Sequence, residues 1–394
     1  MSKWEMVRLG DVGVIITGNT PRKSDLKNYE TNDIPFYKPG DFIEGRISSL
    51  RKAENNISTY AKKSARILPQ GSVLVTCIGI IGKIGVIQEE SACNQQINAI
   101  IPDEIICFNR YLSYAILHIN KSLNDIANSA VVPIINKSQF SNIIIPLPPL
   151  DIQKKIATAL DSANALIEKR KEQIEKLDLL IKSQFIEMFG DPVTNPKGWE
   201  KKQLSKLIVH ANNGMARRGN DIDGDIVLRL VELQDGFLDY SKPNRILLSE
   251  FEKKRYLLFK NDFLFARVNG NPDYVGRCAV FHDIGEDVYY NDHIIRVRFD
   301  DSQLQGCFVS TLLNSQYGKR QMRSKIKTSA GQYTISQDGI GAIEIICPPL
   351  YLQTQFAEFV QKVEAQKTLL QKSLADMEQN YQSLLQKCFK GEIF

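Results

Sequence analysis

Two stretches of this chain carry apolar residues at alternating steps of four and three. The first runs through Ile156, Leu160, Ala163, Ile167, Ile174, Leu177, Ile181 and Met188, with Arg170 and Gln184 interrupting. The second runs through Phe356, Val360, Val363, Leu370, Leu374, Met377, Tyr381 and Cys388, with Lys367 and Leu384 at the intervening steps. A 3.5-residue period held over four to five heptads predicts long helices that pair as an antiparallel coiled coil. The same stripe would also serve two helices that each pack on a globular domain of their own. Each stretch follows a Pro-Pro pair and ends at a stop, Gly190-Asp191-Pro192 in one case and Gly391 in the other. Asp151 stands at the start of the first, where a carboxylate suits the helix dipole.

Ahead of each helix the pattern changes. Short β-rich runs at 72–78 and 83–87, and again at 262–267, 277–282 and 293–299, alternate with Gly, Pro, Asn and Asp clusters. Helical stretches at 109–119 and 304–319 are mixed in. The expected class is α+β, with two mixed α/β domains, each followed by a long helix. The boundaries read as 1–147 and 191–347 for the domains, and 148–190 and 348–394 for the helical regions.

The two halves repeat one frame. Pro148-Pro149-Leu150, Gln153 and Ala157 recur 200 positions later as Pro348-Pro349-Leu350, Gln353 and Ala357. Upstream, Ser129-Ala130 matches Ser329-Ala330 and Ile135 matches Ile335 at the same offset. The openings correspond at an offset of 195, Trp4-Glu5 with Trp199-Glu200. Between these anchors the offset drifts: Leu74 pairs best with Leu264 and Asn94 with Asn291, as insertions would produce. A first helix of about 38 residues would be ~57 Å long, enough to hold two domains about one turn of B-DNA apart. The expectation is an internal pseudo-twofold.

Composition narrows the function. With 394 residues, 43% hydrophobic and 24% charged, the chain is long enough for two cores and too apolar for disorder. The net charge of +5 excludes coating nucleic acid by bulk charge. By segment, 1–150 carries a basic surplus of three and 199–350 of two, while the helical remainder is neutral. No run of ~18 apolar residues occurs, nor an apolar leader, so a soluble cytoplasmic protein without membrane contact is expected. The seven scattered cysteines, with no C-x-x-C pair and no ligand spacing to the four histidines, read as buried thiols.

The basic surplus clusters. Arg51, Lys52, Lys62, Lys63 and Arg66 face a single acid, Glu54, across 51–66, and Lys319, Arg320, Arg323, Lys325 and Lys327 lie in 316–327 without any. Such clusters serve either as solvated faces or as phosphate contacts that fix register on DNA. Asn94-Gln95-Gln96 and its counterpart Asn291-Asp292-His293 could present amides to adenine or cap turns. Arg217, Arg218, Gln332 and Tyr333 stand in polar loops where a reader would place them, and Lys83 could meet a phosphate. The candidate DNA contacts are therefore Arg51, Lys62, Lys63, Arg66, Lys83, Asn94, Gln95, Arg217, Arg218, Lys319, Arg320, Arg323, Lys325, Lys327 and Gln332.

The order of these motifs resembles the specificity subunits of type I restriction–modification systems. The resemblance rests on Trp4 with Leu9-Gly10-Asp11, on Pro146-Leu147-Pro148-Pro149-Leu150-Asp151-Ile152-Gln153, and on Gly198-Trp199 with Pro348-Pro349-Leu350-Tyr351-Leu352-Gln353. The second half departs in Leu204-Ser205-Lys206 and in Cys347. The resemblance covers the whole chain and implies two target-recognition domains, each reading one half of a bipartite site in double-stranded DNA. It also implies two modification subunits docked on the helices and restriction subunits in the full complex. On that reading the chain needs no cofactor; S-adenosylmethionine, ATP and magnesium belong to the partners, which methylate adenine N6 and cleave DNA.

Catalytic alternatives find little support in the residues. Asn271-Pro272-Asp273-Tyr274 is similar to the base-holding Pro-Pro-Tyr motif of adenine methyltransferases, but Asp273 breaks the Pro-Pro pair and no cofactor loop accompanies it. The glycines of 79–85 lack phosphate-loop spacing, and Glu252-Lys253-Lys254 lacks an upstream Pro-Asp. A self-sufficient modifying enzyme is thus disfavoured, while a coiled-coil scaffold or repressor remains a rival that composition does not exclude.

Overall fold

A computed structural model describes residues 3–127, 132–329 and 331–394. The repeated Ser129-Ala130 and the matching Ala330 lie outside the described residues. The chain divides into two compact units, Met1–Lys171 with Lys372–Phe394, and Glu172–Gln371. Each unit therefore holds one α/β domain and a part of both long helices.

In the first unit the strands are β1 (Gly13–Thr17), β2 (Ile34–Tyr37), β3 (Ile47–Leu50), β4 (Val73–Thr76), β5 (Ile84–Ile87), β6 (Ser91–Cys93) and β7 (Ile97–Pro102). The main sheet runs β1-β7-β4-β5-β3, antiparallel except for the parallel β3–β5 pair. A second sheet pairs β2 with β6 in parallel. Val73, Leu74 and Val75 are wholly buried, because this continuous apolar run packs on both faces of the central strand. Gly79 and Gly82, both at positive φ, lie in the β4–β5 hairpin turn, while Gly85 belongs to β5 itself. Helix α1 (Asn109–His118) then packs on the sheet, and the ribbon Glu5–Arg8 with Ile144–Leu147 closes the domain just ahead of the prolines.

The long helix α2 (Leu150–Phe189) leaves at that point. Its anchor is Gln153, wholly buried four residues after Pro149. The Gln153 carboxamide accepts from the Phe108 amide at 2.8 Å and donates to the carbonyls of Ile106 and Pro148, both at 2.8 Å. Arg110 and Tyr114 of α1 add bonds to Asp161 at 2.7 and 2.6 Å.

The second unit repeats the plan with β8 (Ile208–Asn213), β9 (Asp225–Leu228), β10 (Phe263–Ala266), β11 (Cys278–Val280), β12 (Val288–Tyr290) and β13 (Ile294–Phe299). Its main sheet is β8-β13-β10-β11, and β9 pairs with β12 in parallel as β2 does with β6. A short helix α3 (Glu250–Tyr256) is capped by Ser249. The single helix expected at 304–319 is instead two, α4 (Gly306–Asn314) and α5 (Gln316–Arg323). Ser315 is extended between them and caps α5 by accepting from the Gly318 amide. A Cβ at Gly318 would lie 2.2 Å from the Leu313 carbonyl, so the corner is closed by backbone contact that periodicity does not register.

The long helix α6 (Leu350–Lys390) starts from an equivalent anchor. Buried Gln353 accepts from the Gln305 amide at 2.9 Å and donates to Gln303 and Pro348 at 3.0 and 2.7 Å. The two long helices pack together and run antiparallel. Lys171 of α2 reaches Glu378 of α6 at 3.0 Å within the first unit, and Lys367 of α6 reaches Asp178 of α2 at 2.5 Å within the second. The seam residues read from the sequence are buried or half-buried, as the heptad pattern predicts.

That pattern misses what happens at the helix ends. Phe185 and Phe189 of α2 are nearly fully buried against Phe308 and Phe356 in the second unit, with ring centroids 4.8–5.6 Å apart. Leu385, Cys388 and Phe389 of α6 enter the first unit's core beside Tyr111. Each long helix thus leaves one domain and ends in the core of the other. Gly190 and Gly391, both at positive φ, stop the two helices. At Gly391 the capping bonds form a Schellman pair, Glu392 to Lys387 at 3.0 Å and Gly391 to Cys388 at 3.2 Å.

A buried carboxamide with three partners sets a clear expectation. Gln153→Leu and Gln353→Leu each strand one amide and two carbonyls, at about 1–3 kcal/mol per group. Each variant is expected to lose about 3 kcal/mol or more in chemical denaturation, with faster exchange of the Phe108 or Gln305 amide. Wild-type midpoints would contradict the anchoring role.

Candidate nucleic-acid interface

The loops after β1 and β8, and the turns before β7 and β13, form the same backbone frame in both units. In the first, the Gly18 amide donates to Ile97 at 2.9 Å, Asn94 to Tyr37 at 3.0 Å, Ile97 to Asn94 at 3.2 Å, Cys77 to Gln96 at 2.8 Å and Ile135 to Cys77 at 2.9 Å. In the second, Gly214 donates to Ile294 at 3.2 Å, Asn291 to Leu228 at 3.0 Å, Ile294 to Asn291 at 3.0 Å, Arg267 to His293 at 2.7 Å and Ile335 to Arg267 at 2.9 Å. A sixth bond completes each set: the side-chain oxygens of Asn94 and Asn291 accept from the amides of Gln96 and His293, both at 3.1 Å. Each asparagine is buried and shapes its own turn, the capping use that its residue type allows.

Glycine is required beside those turns. A Cβ at Gly18 would sit 2.2 Å from the Asn94 carbonyl, and one at Gly214 2.2 Å from that of Asn291. The first loop is thereby pressed against the turn, and the residues following each glycine and each asparagine are displayed together.

What is displayed differs. In the first unit the Thr20 hydroxyl donates to the Gln95 carboxamide oxygen at 2.7 Å, and Gln95 is exposed. The Arg66 amide donates to Asn19 at 2.8 Å and its guanidinium to the Thr17 carbonyl at 2.6 Å, while Asn19 donates to Ser64 at 2.7 Å. These bonds bring the basic segment 62–66 to the loop. Within it Lys62 pairs with Glu90, and the Lys63 ammonium lies 4.8 Å from the Tyr60 ring centre. A cleft of about 700 Å³ opens alongside, lined by Thr20, Lys23, Lys38, Asn55, Asn56 and Gln95 among others. Arg51 is exposed on the segment after β3. Lys83 is half-buried, its ammonium donating to the Phe42 carbonyl at 3.3 Å inside the domain.

In the second unit Arg218 lies 2.8 Å from the Asp292 carboxylate, an ion pair without hydrogen-bond alignment, and 3.2 Å from His293 Nε2. Burial, together with the Arg218 and Arg267 guanidiniums, holds the His293 imidazole below its ordinary value despite Asp292. It therefore stays neutral near pH 7 and accepts at Nε2. Arg217 pairs with Glu252 at 2.8 Å. Glu252 also caps α3 through Ser249, which gives the lone Glu-x-Lys a structural use.

The other basic stretch does not join this corner directly. On α5, Lys319 pairs with Asp235 at 2.5 Å and Arg323 with Asp273, while Arg320 is exposed. Asp273 belongs to the turn of 271–274, where Asn271 accepts from its amide at 3.0 Å. Half-buried Lys325 follows α5, and Lys327 and Gln332 lie on the hairpin Lys327–Ser329 with Gln332–Thr334. That hairpin pairs with Val268–Asn269, directly after Arg267.

Sequence reading passed over Thr20, Lys38 and Arg267, and left Asp292 and His293 out of the candidate contacts. Arg267 is half-buried with its guanidinium on the Asp292 carbonyl at 3.0 Å. A signal for this site existed, since Gly18 and Gly214 stand 196 positions apart, close to the offset of the opening tryptophans. Among the described residues no group of three His, Cys, Asp or Glu side chains is placed to hold a metal ion, and no helix is long and apolar enough to cross a membrane. All seven cysteines are free, and burial pushes the Cys77 and Cys93 thiols up to about 12.

Two copies of one α/β frame, on two antiparallel helices, define a duplicated recognition module. The type I restriction modification DNA specificity domain matches the chain twice, over residues 1–176 and 196–379. The chain belongs to this family, as a specificity subunit with two DNA specificity domains, an architecture that fits recognition of a site in two parts. The StySPI specificity subunit of Salmonella potsdam is 27% identical to it over 423 residues, which cover 99% of this chain and 89% of that one. Among solved structures, the type I S subunit from M. genitalium aligns with a TM-score of 0.59 at 13% identity, covering 98% of this chain and 96% of that one. A chain solved in work on complex assembly and conformational transition of the type I R-M system aligns at 0.62 and 16% identity, covering 99% and 98%.

The close approach at the glycines is directly testable. Gly214→Ala is expected to lift the loop from the Asn291 turn, costing about 1–3 kcal/mol and accelerating exchange of the Gly214 and Ile294 amides. Gly270→Ala, with open space around the added methyl, serves as the control and should change stability by about 0.5 kcal/mol or less. Equal protection in both variants would contradict the account.

Proposed function

We propose that each unit reads one half of a bipartite site in double-stranded DNA, and that the chain itself performs no chemistry. The observation that carries this reading is the frame written twice: six equivalent hydrogen bonds hold two loops in the same pose, while the side chains on those loops differ. A scaffold built for one fixed partner has no need to keep the backbone and change the display. The long helices would dock two modification subunits, which bind S-adenosylmethionine and methylate adenine N6. Restriction subunits, with ATP and magnesium, would complete a cytoplasmic complex.

In this reading the basic residues near the loops neutralise phosphates. Lys62, Lys63, Arg66, Arg217, Lys319 and Arg323 already touch acids, rings or carbonyls of their own domain. Surface pairs of this kind contribute about 0–1 kcal/mol, so exchange of an acid for a phosphate is inexpensive. Arg51, Arg320, Lys325, Lys327 and Gln332 would add to that contact, with affinity falling steeply as salt rises.

The purified chain is expected neither to methylate nor to cut DNA, and addition of cognate modification subunits should create adenine methylation at one bipartite motif. Replacing residues 199–347 by those of another such subunit should change one half of the motif. Methylation by the isolated chain, or a change in both halves, would refute the reading.

A further inference from the structure

We propose that the two frames read different base edges: Gln95 reads an adenine in one half-site, and Arg218, held by Asp292, reads a guanine in the other. This rests on the DNA-reading function above and assigns its specificity to three residues. Gln95 and Asp292 each follow the buried asparagine of the turn, so the frame presents them at the same step. Each is tied to the loop that follows the pressed glycine, Gln95 to Thr20 and Asp292 to Arg218.

The chemistry of each pair then selects a base. With Thr20 donating to its oxygen, the Gln95 carboxamide is fixed in orientation, one lone pair and the whole NH₂ remaining available toward solvent. An acceptor beside a donor, held coplanar, matches N6 and N7 of adenine. A carboxylate at the same step would repel phosphates if it faced DNA alone. Asp292 instead contacts a guanidinium whose side chain is 53% exposed. Arg218 has five N–H donors and three contacts, to the Arg217 carbonyl, His293 and Asp292, so donors remain for O6 and N7 of guanine. Asp292 is a positioning residue, which limits the rotamers of Arg218, and the neutral His293 ring gives the guanidinium a second wall.

The test uses the full chain assembled with its modification subunits, read by sequencing of methylated adenine and by competition binding to duplexes substituted one base pair at a time. Gln95→Ala should relax one A·T position in one half, and Arg218→Lys one G·C position in the other. The expected loss of discrimination is about 5- to 150-fold at the affected position. Arg218→Lys retains the charge but not the fork, so phosphate-driven affinity should survive. Asp292→Asn should weaken discrimination at the Arg218 position with unchanged thermal unfolding, and Asp292→Glu should restore part of it.

An unchanged motif in the Gln95 or Arg218 variants, relaxation at a base of the other kind, effects in both halves, or complete loss of binding by an assembled complex would each overturn the assignment. If the wild-type complex itself shows no bipartite motif, the function fails rather than the assignment. A wild-type motif that the variants leave intact removes the assignment alone.

Discussion

A single buried glutamine side chain fixes the relation of each long helix to its domain. Gln153 and Gln353 have no exposed surface, and each makes three hydrogen bonds to backbone groups, two in the domain's own loop and one at the first proline of the exit. The prolines cannot donate, so the backbone leaving the domain has carbonyls to satisfy and few amides to offer. A carboxamide supplies both kinds of partner from one side chain, which explains the spacing Pro-Pro-Leu-x-x-Gln in physical terms. Farther along the first helix, Asp161 adds bonds from Arg110 and Tyr114 to the same restraint.

The far ends of the helices use a different device. Phe185 and Phe189 in one unit, and Leu385 and Phe389 in the other, bury apolar area in the core of the domain that the helix did not come from. Directional bonds set each helix's angle at its origin, and packing secures its end. The loops carry no such duty, so their side chains are at liberty to differ between the domains while Gly18, Gly214, Asn94 and Asn291 hold the backbone. Specificity can change without cost to the fold because the two sets of residues hardly overlap.

The scaffold was largely legible in the sequence, because it depends on local patterns. The 200-residue offset, the heptad steps, the stopping glycines and the apolar runs at 72–78 and 262–267 all correspond to elements now seen. Failures came where a close backbone approach or a distant partner decides rather than the apolar period. Ser315 breaks a helix whose periodicity continues, since Gly318 packs on Leu313. Phe185 and Phe189 fall off the heptad seam because they fill a core shared by Phe308 of the domain and Phe356 at the start of α6. At the site, residue type alone does not tell Asn94, which is turned inward to shape a turn, from Gln95, which is turned outward. Asp292 and His293 escaped for the same reason, their meeting with Arg218 being made by two loops some 75 residues apart in sequence, and Arg267 because it reaches the Asp292 carbonyl across the frame.

The central claim is that the paired loops are the reading surfaces and that each serves its own half-site. Amide exchange of the assembled complex, with duplexes in which one half of its methylated motif is scrambled, tests this most directly. The account predicts that scrambling one half removes DNA-dependent protection from 18–23 and 94–96 while 214–219 and 291–293 keep theirs, and that scrambling the other half does the reverse. Protection that is absent from these loops with the intact site, or that is lost from both pairs together, would contradict it.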